Sequence, residues 1–115
     1  MPFLRVLTNS KISISTDELA EKASELIAEE LHKPIDYVVV TIKQNRDMYF
    51  GDDKEIKGVL AYMDSIGFGG QKASLARKLT DLFLDNMPSV SPQNVNIAFY
   101  DMPASDVAIG GNLMG

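Results

Sequence analysis

A chain of 115 residues, 45% hydrophobic and 23% charged, has the length and composition of one globular domain spanning 1–115 around a single core. Its formal net charge of −5 argues against a nucleic-acid partner, and the lack of any long apolar run excludes a membrane span. With no cysteine and a single histidine, His32, the chain cannot form disulfides or do thiol chemistry, and a His-rich zinc site is implausible. The start shows neither the basic nor the apolar segment of a signal peptide, so the expected location is cytoplasmic, with leaderless secretion left open.

The chain opens Met1-Pro2-Phe3-Leu4-Arg5-Val6-Leu7-Thr8. A small second residue favours removal of Met1, and proline is the one standard residue that then leaves a secondary amine at the terminus. An α-amino group titrates at about 7.7–8.0 in free peptides. Burial beside a second cation lowers that value and makes a neutral base near physiological pH. Taken alone, Pro2 is more simply a processing signal. Phe3 to Thr8 reads as a strand without strict alternation, expected to be buried on both faces.

Asn9 to Thr16 is polar loop, in which Ile12 and Ile14 alternate and pack locally. Ser15 followed by Glu18 is a capping-box pattern, and Leu19, Ala23, Leu26, Ile27 and Leu31 form one helical stripe, with Glu21, Glu25 and Glu29 opposite. Lys33-Pro34 is expected to end this helix, since the residue before proline is pushed out of the α region. Tyr37 to Ile42 is a β-branched strand. A turn around Asn45 to Asp47 leads to Met48-Tyr49-Phe50, expected to be a short edge strand, and Gly51 to Lys54 turns again.

Lys57 to Ile66 reads as a strand and Gly67-Phe68-Gly69-Gly70 breaks it. That glycine loop lacks the Lys-Ser/Thr of a phosphate loop and is a turn. From Gln71 a second amphipathic helix places Leu75, Leu79, Leu82, Phe83 and Asn86-Met87 on one stripe. Val95 to Tyr100 is the last long strand, and Ala108 to Leu113 is expected to be a loose tail.

The order of elements is that of two pseudo-symmetric β-α-β units, an α/β domain with one four-stranded sheet and both helices on one face. The other face, rich in branched and aromatic residues, needs cover, so the pattern predicts an oligomer.

Five stretches resemble the macrophage migration inhibitory factor family of the tautomerase superfamily: Met1-Pro2-Phe3, Lys33-Pro34 with Tyr37, Met48-Tyr49-Phe50-Gly51, Ser65-Ile66-Gly67 with Gly69-Gly70, and Phe99-Tyr100-Asp101-Met102. They run nearly end to end. The resemblance implies a homotrimer with a barrel-like core of three sheets and no cofactor or metal. It also implies keto–enol tautomerisation of aromatic α-keto acids such as phenylpyruvate. On that resemblance Pro2 is the base, Lys33 meets the substrate carboxylate or enolate oxygen, Ile66 offers its backbone N–H, and Tyr37 lines the pocket. A neighbouring subunit supplies the remaining wall. Lys33 also fits as a simple cap on the helix dipole, a role compatible with the first.

Four positions depart from the family pattern. Asn96 and Ala98 stand where a tyrosine and an asparagine are usual, and Ile109 and Met114 replace aromatic residues of the pocket. The family's Cys-x-x-Cys falls at Lys57 and Leu60, so thiol oxidoreductase activity is absent. The altered wall motivates a second reading, a cytokine-like interaction module whose receptor the sequence does not identify. Hydration or dehalogenation by the same proline comes third, for want of extra charged residues.

Overall fold

The computed structural model describes residues 1–45 and 47–115. Six strands and two long helices follow one another as β1 (Phe3–Thr8), α1 (Thr16–Leu31), β2 (Val39–Gln44), β3 (Val59–Ser65), α2 (Lys72–Asn86), β4 (Val95–Asp101), β5 (Ala108–Ile109) and β6 (Asn112–Leu113). The main sheet runs β2-β1-β3-β4. β1 pairs in parallel with β2, and β3 in parallel with β4, while β1 and β3 meet antiparallel at the centre. Each parallel pair is joined through a helix, so the chain is two β-α-β units back to back, as the sequence predicts. Right-handed crossovers in both units place α1 and α2 on the same face.

Period-2 alternation decides which side chains meet the helices. Leu4, Val6 and Thr8 of β1 and Val59, Ala61, Met63 and Ser65 of β3 are buried on the helix face. They pack against Leu19, Ala23, Ile27 and Leu31 of α1 and Leu75, Leu79 and Phe83 of α2. Each of these fully buried large side chains stabilises by about 1.5–3 kcal/mol relative to exposure. Ile12 and Ile14 pack on the rim of this core, as their alternation suggests.

The ends of α1 are set by local chemistry. Ser15 caps the start, its hydroxyl accepting the Glu18 N–H at 3.0 Å. At the other end His32 takes a left-handed conformation (φ 53°) and donates its N–H back to Ala28 and Glu29. The helix therefore stops at a left-handed cap, one step before the Lys33-Pro34 pair that the sequence points to. The helices are tied across their exposed rims by Glu30, which accepts from Lys78 at 2.8 Å and from Ser74. Those hydrogen bonds hold the Glu30 carboxyl below its ordinary range.

Several expectations need correction. Tyr37 belongs to a short 3₁₀ turn, Ile35–Tyr37, and the strand begins only at Val39, because the Pro34 carbonyl captures the Tyr37 N–H at 3.1 Å. Met48-Tyr49-Phe50 is not a strand within the chain: Phe50 makes only an isolated bridge to Asp53 across the Gly51 turn. The turn around Asn45 to Asp47 includes Arg46, which lies outside the described residues. Ala108 to Leu113 is a β5–β6 hairpin, closed by Gly110 and Gly111 at positive φ. Finally, β1 is buried on one face only, since Phe3 and Leu7 are half-buried and Arg5 is exposed on the other.

Candidate active site

β1 begins in the middle of the sheet, so the residue before it is held by neighbours on both sides. The Pro2 carbonyl accepts the Val39 N–H at 3.0 Å, and the Pro2 side chain is fully buried. Phe3 pairs with Asp64 on β3. A terminus anchored in this way does not fray like an ordinary one.

The left-handed cap at His32 turns the chain out of α1, and Lys33 N–H still bonds to Ala28 at 3.0 Å. From there the Lys33 side chain reaches across to the end of β3, where its Nζ donates to the Ile66 carbonyl at 3.4 Å. Ser65 faces β4, since its carbonyl accepts the Met102 N–H at 2.8 Å. Ile66 follows directly after the end of β3, and its carbonyl is the one turned to Lys33. The Ile66 N–H finds no acceptor among the described residues.

A cleft of about 400 Å³ gathers these groups, lined by Met1, His32, Lys33, Pro34, Tyr37, Ile66, Ala104 and Met114. Lys33, Ile66, Tyr37 and Met114, named from the sequence, thus come together around Met1, while Pro2, the residue after it, is buried and does not line the cleft. His32, expected to serve only as a helix end, does cap α1 and also lines the cleft, as does Ala104. Position after a helix stop is the only sequence signal His32 offers, and Ala104 offers none.

Burial and the Lys33 ammonium together hold the Met1 amine below the ordinary range of an α-amino group, burial being the larger cause. With Met1 in place the Pro2 nitrogen is a tertiary amide and cannot accept a proton. Pro2 lies one residue deeper into the same environment.

Asn96, Ala98 and Ile109 are not brought to this cleft within the chain. Asn96 and Ala98 are exposed on the open face of β4, opposite Leu60 and Tyr62 of β3, well up the strand from Ile66. Ile109 sits in the terminal hairpin, clear of the cleft that Met114 reaches. These three can meet a cleft only if it belongs to another copy of the chain.

Paired β-α-β units around an antiparallel centre, with a cleft where β1 begins, define a protein of the tautomerase-superfamily fold. The family model described as macrophage migration inhibitory factor matches residues 1–115, and the chain belongs to that family. It is similar to a macrophage migration inhibitory factor homolog of Brugia malayi, 31% identical over 117 residues and covering 100% of both chains. Among solved structures, a macrophage migration inhibitory factor from Oncomelania hupensis superposes with a TM-score of 0.89 at 24% identity, over 100% of this chain and 83% of that one. A fused protein solved as a wild-type symmetric trimer gives a TM-score of 0.83 at 16% identity, over 97% and 94% of the two chains.

Proposed function

We propose that this protein is a cofactor-independent keto–enol tautomerase of phenylpyruvate-like α-keto acids, with the Pro2 amine as general base once Met1 is removed. The neutral amine takes a proton from the carbon beside the carbonyl, and the electron pair of that C–H bond moves to the carbonyl oxygen. The protonated amine then returns its proton to oxygen, giving the enol; the reverse path regenerates the keto acid. Negative charge grows on oxygen in the transition state, and a fixed ammonium and a fixed N–H aimed at it lower the barrier. In this reading Lys33 and the Ile66 N–H supply them.

One observation carries this reading: the Lys33 ammonium shares a cleft with the chain terminus and with Ile66, whose carbonyl it reaches. The working assembly in this reading is a homotrimer, favoured by the uncovered sheet face and by the symmetric trimer among its structural likenesses. Asn96, Ala98 and Ile109 of one copy would then complete the cleft of the next.

The test is phenylpyruvate tautomerisation by purified protein whose intact mass shows loss of Met1. Turnover well above buffer, abolished in a folded Pro2→Gly variant, is expected; undiminished activity in that variant rejects the mechanism. The interaction-module reading draws on the altered pocket wall at Asn96, Ala98, Ile109 and Met114, where residues usual in the family are replaced. Absence of saturable binding to candidate receptors by surface plasmon resonance removes it.

A further inference from the structure

The Ile66–Gly67 peptide unit is held from both ends. Its carbonyl, on Ile66, accepts the Lys33 Nζ at 3.4 Å, a long contact that leaves the ammonium lightly held. Its N–H, on Gly67, donates to Asp101 Oδ1 at 2.9 Å. In a trans peptide these two groups point in opposite directions, so carboxylate and ammonium stand at opposite ends of one dipole, each at the end of favourable sign. The chain order is carboxylate, N–H, carbonyl, ammonium. Gly67 has φ +77°, a left-handed turn residue whose orientation the backbone alone does not fix tightly. Ser65, fully buried, adds a second tie by donating its Oγ to the Gly67 carbonyl at 2.8 Å.

We infer that Asp101 is a positioning residue for the tautomerase site, acting through the Ile66–Gly67 peptide to hold Lys33 where the developing oxyanion forms. The inference rests on the proposed function. Asp101 itself does not line the cleft, and nothing brings its carboxylate to the substrate. It works at one remove. A carboxylate accepting a backbone N–H sharpens the carbonyl at the far end of the same unit as an acceptor, since aligned dipoles polarise one another. Removing the acceptor frees the Gly67 turn, and with it the one carbonyl to which Lys33 donates.

The test compares Asp101→Asn with Asp101→Ala, each made in the processed wild-type chain and in Lys33→Ala. Both variants delete the charge, but only asparagine keeps an oxygen that accepts the Gly67 N–H. Any difference between them therefore reports the hydrogen bond and not the field of the carboxylate. Two readouts are used: kcat and KM for phenylpyruvate, and the amine titration of Pro2 followed by ¹⁵N NMR, which needs no turnover. The other titratable groups around the amine are His32 and Tyr37 in the cleft and Asp64 opposite Phe3, unchanged in all variants.

Expected are a kcat/KM for Asp101→Ala about fivefold below that of Asp101→Asn, the fold-change matching one ordinary hydrogen bond, and a higher amine pKa in the alanine variant. Both differences vanish in Lys33→Ala. A gap between the two variants that persists without Lys33, or no gap with it, overturns the inference. If Asp101→Ala does not fold, Asp101→Leu, close to aspartate in size but without an acceptor, takes its place against Asp101→Asn, with the same dependence on Lys33 required. A Pro2 amine that titrates in the ordinary range in the wild type would instead sink the tautomerase reading itself, so the two failures are told apart.

Discussion

In the proposed tautomerase one ammonium, that of Lys33, does two jobs. It discourages a second positive charge on the nearby terminal amine, and it offers a cation to an oxygen that becomes negative. The sign of the pH effect follows. The base works as the neutral amine, so activity is present above the amine pKa and lost as pH falls through it. Burial and Lys33 lower the pKa of the Met1 amine, and the same two causes acting on a Pro2 amine one residue further in extend activity toward lower pH. Lys33→Ala is expected to move the acid limb of the kcat/KM profile to higher pH, toward the unperturbed range of about 7.7–8.0. It should also reduce kcat by about 10²–10³, the cost of losing one preorganised donor to an oxyanion. A pH–rate profile of the two proteins checks both; a loss of rate with an unmoved acid limb would leave Lys33 as a substrate anchor only.

At the scale of the elements, what the sequence makes legible is whatever local physics decides. The stripe Leu19, Ala23, Ile27, Leu31 is the buried face of α1, and Ser15 with Glu18 marks its start, because periodicity and capping depend on near neighbours alone. Ser15→Ala should therefore lower stability by about 1 kcal/mol, read as a shift in urea midpoint with an unchanged slope; no shift would mean Thr16 takes over the cap. The stop of α1 is less legible, since proline at 34 marks a boundary but a left-handed histidine at 32 makes it. The Tyr37 turn was obscured in the same way, its β-branched neighbours outweighing a 3₁₀ bond to the Pro34 carbonyl. Pro2, Lys33 and Ile66 lie far apart in sequence, and only the family resemblance named them together. Asp101 belongs to the Phe99-Tyr100-Asp101-Met102 stretch, yet its tie to Gly67 is set by a turn geometry that no periodicity encodes.

The whole molecule presents an unfinished sheet. Among the described residues both edge strands, β2 and β4, are unpaired along their outer sides, and the face away from the helices carries Phe3, Leu7, Leu60, Tyr62 and Tyr100. Arg5 lies over the Tyr62 ring at 4.9 Å on that face, which shields part of the apolar surface without removing it. The chain is also elongated, 44 Å by 25 Å by 25 Å, where a closed domain would be rounder. Open edges and an apolar face together favour pairing with copies of the same chain.

The expected mass in solution is accordingly three times the 12.6 kDa of the chain, measured by sedimentation equilibrium. Leu60 gives a way to separate assembly from folding, because its side chain lies on the open face between Leu7 and Asn96 and not against the helices. Leu60→Lys sets an ammonium into that apolar strip, one strand removed from Lys43, which flanks Leu7 on the other side. The helical core is untouched, so the far-ultraviolet circular dichroism should stay native while the mass falls to that of a single chain. If Asn96, Ala98 and Ile109 of a neighbour complete each cleft, turnover per chain should fall with the mass and recover as protein concentration rises. A monomer with full activity would mean that the cleft at the start of β1 is complete within one chain, and that the open face serves a different partner.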